Sequence, residues 1–184
     1  QVHTLKEKYP IVVDTVSEAS GPCVVCTWMR KHADELAALL NKNKLPAISI
    51  HGEWEAGERA RMIAHAAENK LHIVTTYGAS ATGLDGLQLI SSNAIFHSIN
   101  GVPATTLQAI DRLNRIGQKD PVTATFIAMK DSVDELLVDK VINRLDAFGQ
   151  ILGRNIATTS LQDALRISGL DKDADLDAIF ATLT

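Results

Sequence analysis

The stretch Cys23–Gly52 reads CVVCTWMRKHADELAALLNKNKLPAISIHG and decides the fold. It opens with a short apolar run, Cys23–Thr27, and closes with a second one, Pro46–Ile50. Between them, Met29–Leu40 carries leucines at helical spacing, which predicts a helix with one face on a core, capped by Thr27. Continuous apolar strands joined by a helix are typical of parallel strands that are buried on both faces. The stretch therefore predicts a β-α-β unit.

The same alternation continues on both sides of this unit. The predicted helices are Leu5–Ala19, Gly57–Asn69, Thr105–Ile116 and Ser132 to about Phe148, and the further strands are Leu71–Thr75, Asn93–Ile99 and Val122–Met129. This pattern predicts an α/β domain over residues 1–153, with a parallel sheet sandwiched by helices. Residues 154–184 are predicted as a small helical tail of unknown role, with short helices at Ser160–Ser168 and Ala174–Leu183.

The composition excludes several classes of protein. With 184 residues and a net charge of −4, the chain is not a broadly basic nucleic-acid-coating protein, so any nucleic-acid contact needs a local basic patch. Aromatic residues make up only 4% of the chain, so base stacking on many rings is not expected to be its main way of binding nucleic acid. No apolar run is long enough to span a bilayer, and no secretory signal pattern opens the chain. These features predict an intracellular location, in the cytoplasm, nucleoid or nucleus, without membrane contact. The first residue, Gln1, fits a fragment or a processed chain.

The two cysteines, Cys23 and Cys26, lie within one predicted strand. A zinc site needs more ligands at matching spacing, and the sequence offers none, so no metal site is predicted. A redox pair at this spacing normally opens a helix. We therefore predict two core cysteines, which suits a reducing compartment.

The helix predicted at Thr105–Ile116 sorts its residues onto two faces, because successive residues turn by about 100°. Leu107, Ile110 and Leu113 share the apolar face, and Gln108, Asp111, Arg112 and Arg115 share the polar one. Two guanidinium groups one turn apart form a fixed array of donors for phosphate oxygens. The alternative is a solvated helix face.

Polar loops follow the predicted strands at their carboxyl ends, where open parallel sheets bind ligands. They are Thr27–Arg30, His51 with Gly52, Thr76–Leu87, and the segment that leads into Gln108. Because parallel strands end at one edge of the sheet, these four loops are expected to converge on a functional site there.

These residues resemble the second RecA-like domain of superfamily 2 helicases and DNA translocases. Gln108–Gln118, which ends in Arg-Ile-Gly-Gln, is similar to motif VI of the Swi/Snf-like branch. Thr75–Leu87, with Thr-Gly-Leu-Asp-Gly-Leu at its end, resembles motif V, and Val24–Arg30 resembles motif IV. The order and spacing match from about Leu5 to Phe148, and the resemblance does not cover the tail after Gly153.

The resemblance implies ATP as cofactor, held between two RecA-like domains. The second domain supplies arginine fingers to the γ-phosphate, where charge develops during transfer. Arg112 and Arg115 match these fingers, and Gln108 matches a residue that arranges the same region. Asp85 matches an acidic residue that reaches the ribose, and Gly83 lets the backbone turn close to the nucleotide. The alternative for Asp85 and Gly83 is a simple tight turn.

The resemblance also implies DNA as a partner. Thr75 and Thr76 match positions that contact the nucleic-acid backbone. Trp28, Arg30 and His51 lie at loop positions that are able to touch phosphate or sugar. The alternatives are core packing for Trp28 and a structural role for His51.

The sequence contains no Gly-x-x-x-x-Gly-Lys-[Ser/Thr] P-loop and no acidic Mg²⁺-binding motif at the end of a strand. The family places both in the first RecA-like domain. We therefore predict the second motor domain of an ATP-dependent DNA helicase or translocase, inactive alone and partnered by an N-terminal RecA-like ATPase domain of the same or another chain. The alternative is a stand-alone, non-catalytic module that binds nucleic acid or completes a partner's site.

Overall fold

Within the described residues, five parallel strands form one sheet. The computed structural model describes residues 2–79, 84–100, 102–129 and 132–152. The strands are β1 (Cys23–Thr27), β2 (Ala47–Ile50), β3 (His72–Thr76), β4 (Asn93–Phe96) and β5 (Thr123–Phe126). The helices are α1 (Val2–Glu7), α2 (Tyr9–Glu18), α3 (Arg30–Lys42), α4 (Ala56–Asn69), α5 (Pro103–Leu113) and α6 (Val133–Leu152), with a 3₁₀ turn at Leu87–Leu89.

The strands lie in the order β2-β3-β1-β4-β5, and every neighbouring pair is parallel. In the central strand β1, Val24 lies opposite Ile73 on one side and Ala94 on the other. The predicted parallel sheet is confirmed. Because all the carboxyl ends share one edge, the loops that follow the strands gather there.

Two hydrophobic cores cover the two faces of the sheet. Successive residues of a strand point to opposite faces, so Val24 and Cys26 lie in one core while Cys23 and Val25 lie in the other. Helices α4 and α5 contribute buried residues to the first core, and α2 and α3 contribute to the second. The predicted layering of helices on both faces is confirmed.

The prediction of core cysteines is also confirmed. Cys23 and Cys26 are buried and free, and burial raises the pKa of their thiols to about 11 and about 12. Both thiols therefore stay protonated at neutral pH. In the part of the chain that the structure describes, no three His, Cys, Asp or Glu side chains are grouped so that they could hold a metal ion.

Two predictions near the start of the chain are wrong, one for a local reason and one because of a tertiary contact. The predicted opening helix is two helices, because Pro10 stands in the first turn of α2 and its ring would clash with the carbonyl of Lys6 in a continuous helix. Helix α3 follows Met29, which offers no side-chain cap. Thr27 does not cap it, since its hydroxyl is hydrogen-bonded to the ring of His97.

The contacts divide the chain into two compact units, Gln1–Arg144 and Leu145–Thr184. The predicted tail, residues 154–184 with its two short helices, lies outside the described residues. None of the helices described is long and apolar enough to cross a membrane.

A buried polar network joins the first two helices to the sheet and to α6. Lys8, between α1 and α2, is fully buried; its ammonium group pairs with the Asp134 carboxylate and donates to the carbonyl oxygen of His97 at 3.2 Å. The Nε2 atom of His97 lies 2.7 Å from the carbonyl oxygen of Leu5. Because a carbonyl only accepts, the ring carries its proton on Nε2, and the Thr27 hydroxyl donates to Nδ1 at 3.0 Å.

We expect acid to destabilise the fold through His97. Burial lowers the pKa of this ring from 6.5 to about 4. As the pH falls from about 6.5 towards 4, the unfolded chain takes up a proton that the folded chain does not, so stability is lost across that window. The loss approaches roughly 3 kcal/mol. The measurement is urea unfolding at about pH 7.5 and about pH 4.5. Between these values the free energy of unfolding should fall less for His97→Asn than for the wild type. An equal fall in both proteins contradicts the prediction.

Candidate nucleotide and nucleic-acid site

Helix α5 has a buried and an exposed face, but the buried face is rotated from the predicted one: of Leu107, Ile110 and Leu113, only Leu113 is fully buried, and the other two are half-buried. Its buried residues include Thr106, Ala109 and Leu113, and its exposed residues include Gln108 and Asp111. The helix begins at Pro103, whose fixed φ suits a first turn. It ends at Leu113 and not at the predicted Ile116, so Arg115 lies in the turn that follows the helix.

The two predicted finger arginines contact the same carboxylate oxygen. The Nη1 atoms of Arg112 and Arg115 lie 3.0 Å and 2.6 Å from Oδ1 of Asp85. The side chain of Asp85 is 75% exposed, and that of Arg115 is 41% exposed. The structure therefore brings together three of the five residues that the resemblance assigns to the nucleotide.

The other two residues stand apart from this cluster. Gln108 is exposed on α5, and its side chain forms no hydrogen bond or ion pair with another residue that the structure describes. Gly83 lies outside the described residues, so its predicted approach to the nucleotide remains a prediction.

Two glycines with positive φ shape the turns that carry the cluster. Gly86, directly after Asp85, has a φ of 101°, and a Cβ atom there would lie 3.2 Å from Cγ2 of Ile63. Gly117, two residues after Arg115, has a φ of 102°, and a Cβ atom there would meet Cδ2 of Leu89 at 3.3 Å. Since other residues rarely adopt this backbone region, both turns depend on glycine.

Gln118 anchors the turn that follows α5. Its Nε2 atom donates to the carbonyl oxygens of Ser91 and Leu113 at 2.9 Å and 3.2 Å, and its Oε1 atom accepts from the amides of Lys119 and Asp120. The closing Gln of the motif is therefore structural, a role that the sequence pattern did not reveal.

A cleft of about 800 Å³ lies at the carboxyl edge of the sheet. Residues at or after the ends of β1, β2 and β3 line it, namely Trp28, Met29, Arg30, Lys31, Gly52, Thr76, Tyr77, Gly78 and Ala79. Three of the four loops that were expected to converge therefore share one cleft. The fourth is linked to it by Tyr77, whose hydroxyl donates to the carbonyl oxygen of Ser98 at 2.7 Å.

The predicted nucleic-acid residues differ in their access to this cleft. Thr75 is fully buried, and its hydroxyl donates to the carbonyl oxygen of Thr76 at 3.4 Å. Thr76 is only 7% exposed, but it lines the cleft, and its hydroxyl oxygen accepts from the amide of Ala79 at 3.4 Å. In this conformation a direct side-chain contact with a nucleic acid is open to Thr76 and not to Thr75.

His51 is nearly buried. Its Nε2 atom lies 3.3 Å from Oδ1 of Asp34, and its ring lies 6.2 Å from that of Trp54. The Nδ1 atom is buried without a hydrogen-bond partner among the described residues. This placement favours the structural alternative that the sequence left open for His51.

Trp28 and Arg30 are on the surface. Trp28 is 58% exposed, which makes core packing the wrong alternative for this residue. Arg30 forms an ion pair with Glu53 in the loop between β2 and α4, and both side chains are more than half exposed. Glu53 and Tyr77 are site residues that sequence reasoning missed, because nothing in the local pattern links either to the loop after β1.

Residues 7–117, more than half of the chain, match the family described as the helicase conserved C-terminal domain. A SWI/SNF-related matrix-associated actin-dependent regulator of chromatin subfamily A-like protein 1 homolog from Caenorhabditis elegans is 28% identical over 118 residues, or 64% of this chain and 17% of that protein. The nuclear protein STH1/NPS1 of Saccharomyces cerevisiae is 29% identical over 138 residues, or 73% and 10%. The chain thus spans less than a fifth of these relatives.

A solved structure gives the same fold. The C-terminal part of the Fun30 ATPase domain superposes with a TM-score of 0.63 at 20% sequence identity, covering 73% of this chain and 43% of that chain. At this identity the likeness concerns the fold alone. It matches the five-stranded parallel sheet with its flanking helices, and the predicted RecA-like fold is confirmed.

Proposed function

This chain belongs to the helicase conserved C-terminal domain family, and from that premise we propose that it is the second motor domain of an ATP-dependent DNA helicase or translocase. ATP with its Mg²⁺ is then held mainly by a separate first RecA-like domain, in the same chain or a partner chain. Arg112 and Arg115 reach its γ-phosphate. The observation that carries this proposal is the convergence of both guanidinium groups on one exposed carboxylate oxygen.

The arginine pair fits a phosphate oxygen. Both Nη1 atoms approach the same Oδ1 of Asp85 within 3.0 Å, and a phosphoryl oxygen accepts charge-assisted hydrogen bonds as a carboxylate does. The Asp85 side chain is 75% exposed, and ion pairs open to solvent are weak, so a triphosphate can replace this carboxylate at little cost. The two guanidinium groups would then stabilise the charge that develops during phosphoryl transfer. Asp85 is then available for a ribose hydroxyl, and Gln108 for arranging the same region.

Exposed apolar side chains beside the arginines support a partner domain on this surface. Ile116, next to Arg115, is fully exposed, and Leu89 is 68% exposed. Leu89 lies against the turn at Gly117. Adjoining exposed apolar side chains are a frequent mark of a surface that another domain covers. The first RecA-like domain is the occupant that we propose.

The nucleic acid is proposed to lie at the carboxyl-edge cleft. Thr76 and Arg30 would contact its backbone, while His51 and the buried Thr75 would support the loops. The regulators of chromatin among the relatives favour DNA over RNA. The place of action is then inside the cell, in the cytoplasm, nucleoid or nucleus.

We expect the 184-residue chain alone to show no DNA-stimulated ATP turnover, because it has no P-loop to hold the phosphates. The measurement is a phosphate-release assay with and without DNA, repeated after adding a first RecA-like domain that carries a P-loop. Turnover that appears only with the added domain supports the proposal. A variant of that domain without its P-loop lysine is the control. Robust turnover by the chain alone contradicts the proposal.

A further inference from the structure

Trp28 stands at the carboxyl edge of the sheet and is 58% exposed. It follows the last residue of β1, and Met29 beside it is 40% exposed. Tyr77 is buried next to it, with ring centroids 6.4 Å apart and an angle of 54° between the planes. Because the Tyr77 hydroxyl is bonded to the carbonyl oxygen of Ser98, this support is fixed. Trp28 therefore contacts a fixed buried ring while more than half of its own surface stays accessible to a planar ligand.

The surroundings of Trp28 carry positive charge. Arg30 and Lys31, in the first turn of α3, line the same cleft, and the amino end of the helix adds to the positive potential. Arg30 is paired with Glu53 and Lys31 lies 4.0 Å from Glu35; Arg30, Lys31 and Glu53 are more than half exposed, and Glu35 is 30% exposed. Exposed pairs are weak, so the phosphates of a bound strand can replace the carboxylates.

The size of the cleft suits a nucleotide. Its volume of about 800 Å³ lies within the range of sites that enclose small organic ligands. Thr76 and the backbone of Gly52 and Gly78 supply polar groups along the walls. An aromatic face flanked by cations is the combination by which proteins hold single strands, since every base offers a π-face and every nucleotide a phosphate.

We propose that Trp28 stacks on an unpaired nucleobase, with Arg30 and Lys31 at the adjoining phosphates. This inference rests on the proposed function, in which nucleic acid binds at this edge of the sheet. It adds that the bound base is unpaired. A base inside a duplex is already stacked on both sides, so it must leave the stack before it can contact Trp28. The cleft therefore takes a single-stranded segment or an extruded base.

The test is an equilibrium titration of the full 184-residue chain at low salt. The probes are a labelled oligothymidylate and an abasic oligonucleotide of the same length, with binding read as fluorescence anisotropy. Trp28→Ala should weaken binding of the oligothymidylate roughly 5- to 150-fold and leave binding of the abasic strand unchanged. Trp28→Phe, which keeps an aromatic face, should retain most of the affinity. Trp54→Ala is the matched control, because Trp54 is partly exposed but does not line the cleft.

A second readout uses the Trp54→Phe variant, in which Trp28 is the single tryptophan. Its fluorescence should be quenched by the oligothymidylate and not by a blunt duplex. Equal weakening of both strands by Trp28→Ala, or no quenching, overturns the stacking role while leaving phosphate binding in place. If the wild type binds neither strand, the nucleic-acid part of the proposed function fails, and Trp28 becomes a contact for a protein partner instead.

Discussion

In the complete protein, Arg112→Ala or Arg115→Ala should lower ATP turnover about 10³-fold, the scale expected of an arginine finger. Both guanidinium groups already converge on one oxygen of Asp85, so each is placed to serve the same phosphate. Most of the effect should fall on turnover, because the fingers act on charge that develops in the transition state. Nucleotide binding should weaken far less, since the first RecA-like domain holds most of the ligand.

The measurement is steady-state ATP turnover with saturating DNA, alongside nucleotide affinity measured with a fluorescent ATP analogue. Arg144→Ala is the matched control, because it removes the same charge from an exposed position on α6. The double variant should lose little more than either single one if the two arginines act as a unit. Near-normal turnover in both single variants would show that these residues are not fingers.

Asp134→Ala should destabilise the fold by about 3–5 kcal/mol, because it leaves the Lys8 ammonium group buried without its carboxylate. Lys8 has no exposed side-chain surface, and Asp134 is only 12% exposed. For a chain of this size such a loss lowers the melting temperature by on the order of 10 °C. Thermal and urea unfolding of the 184-residue chain measure both quantities.

The double variant Lys8→Met with Asp134→Leu should recover much of this loss, since apolar residues of similar volume often replace a buried ion pair without penalty. Lys31→Met is the control for removal of a lysine, because the Lys31 side chain is 73% exposed and its pair with Glu35 is long at 4.0 Å. It should change the free energy of unfolding by roughly 0.5 kcal/mol or less. A loss for Asp134→Ala no larger than that of the control would mean that the buried pair contributes nothing.

The fold followed from local patterns. The apolar run Cys23–Thr27 is a strand with the bounds that the sequence predicts, and the helical spacing after it does form a helix. Periodicity succeeds here because burial on both faces forces a strand to be continuously apolar. The prediction that Thr27 caps the helix failed, because the Thr27 hydroxyl is hydrogen-bonded to the distant His97 ring instead.

The candidate site was predictable in its residues but not in its contacts. Helical spacing put Arg112 and Arg115 on one face, although Arg115 lies beyond the helix end and reaches the cluster through the turn at Gly117. Only the folded chain pairs both with Asp85. Ion pairs between different loops are non-local contacts. A sequence pattern does not give the distance between two side chains that are far apart in the chain.

The sequence by itself determined the parallel α/β domain, the two-faced helix and the family resemblance, because each depends on residue spacing within one stretch. The tertiary structure decided which residues are accessible. It buries Thr75 and His51, leaves Trp28 exposed, and seals Lys8 against Asp134. Packing of the helices on the sheet causes this division, since it closes some surfaces at the carboxyl edge and opens others regardless of the hydrophobicity of a single residue.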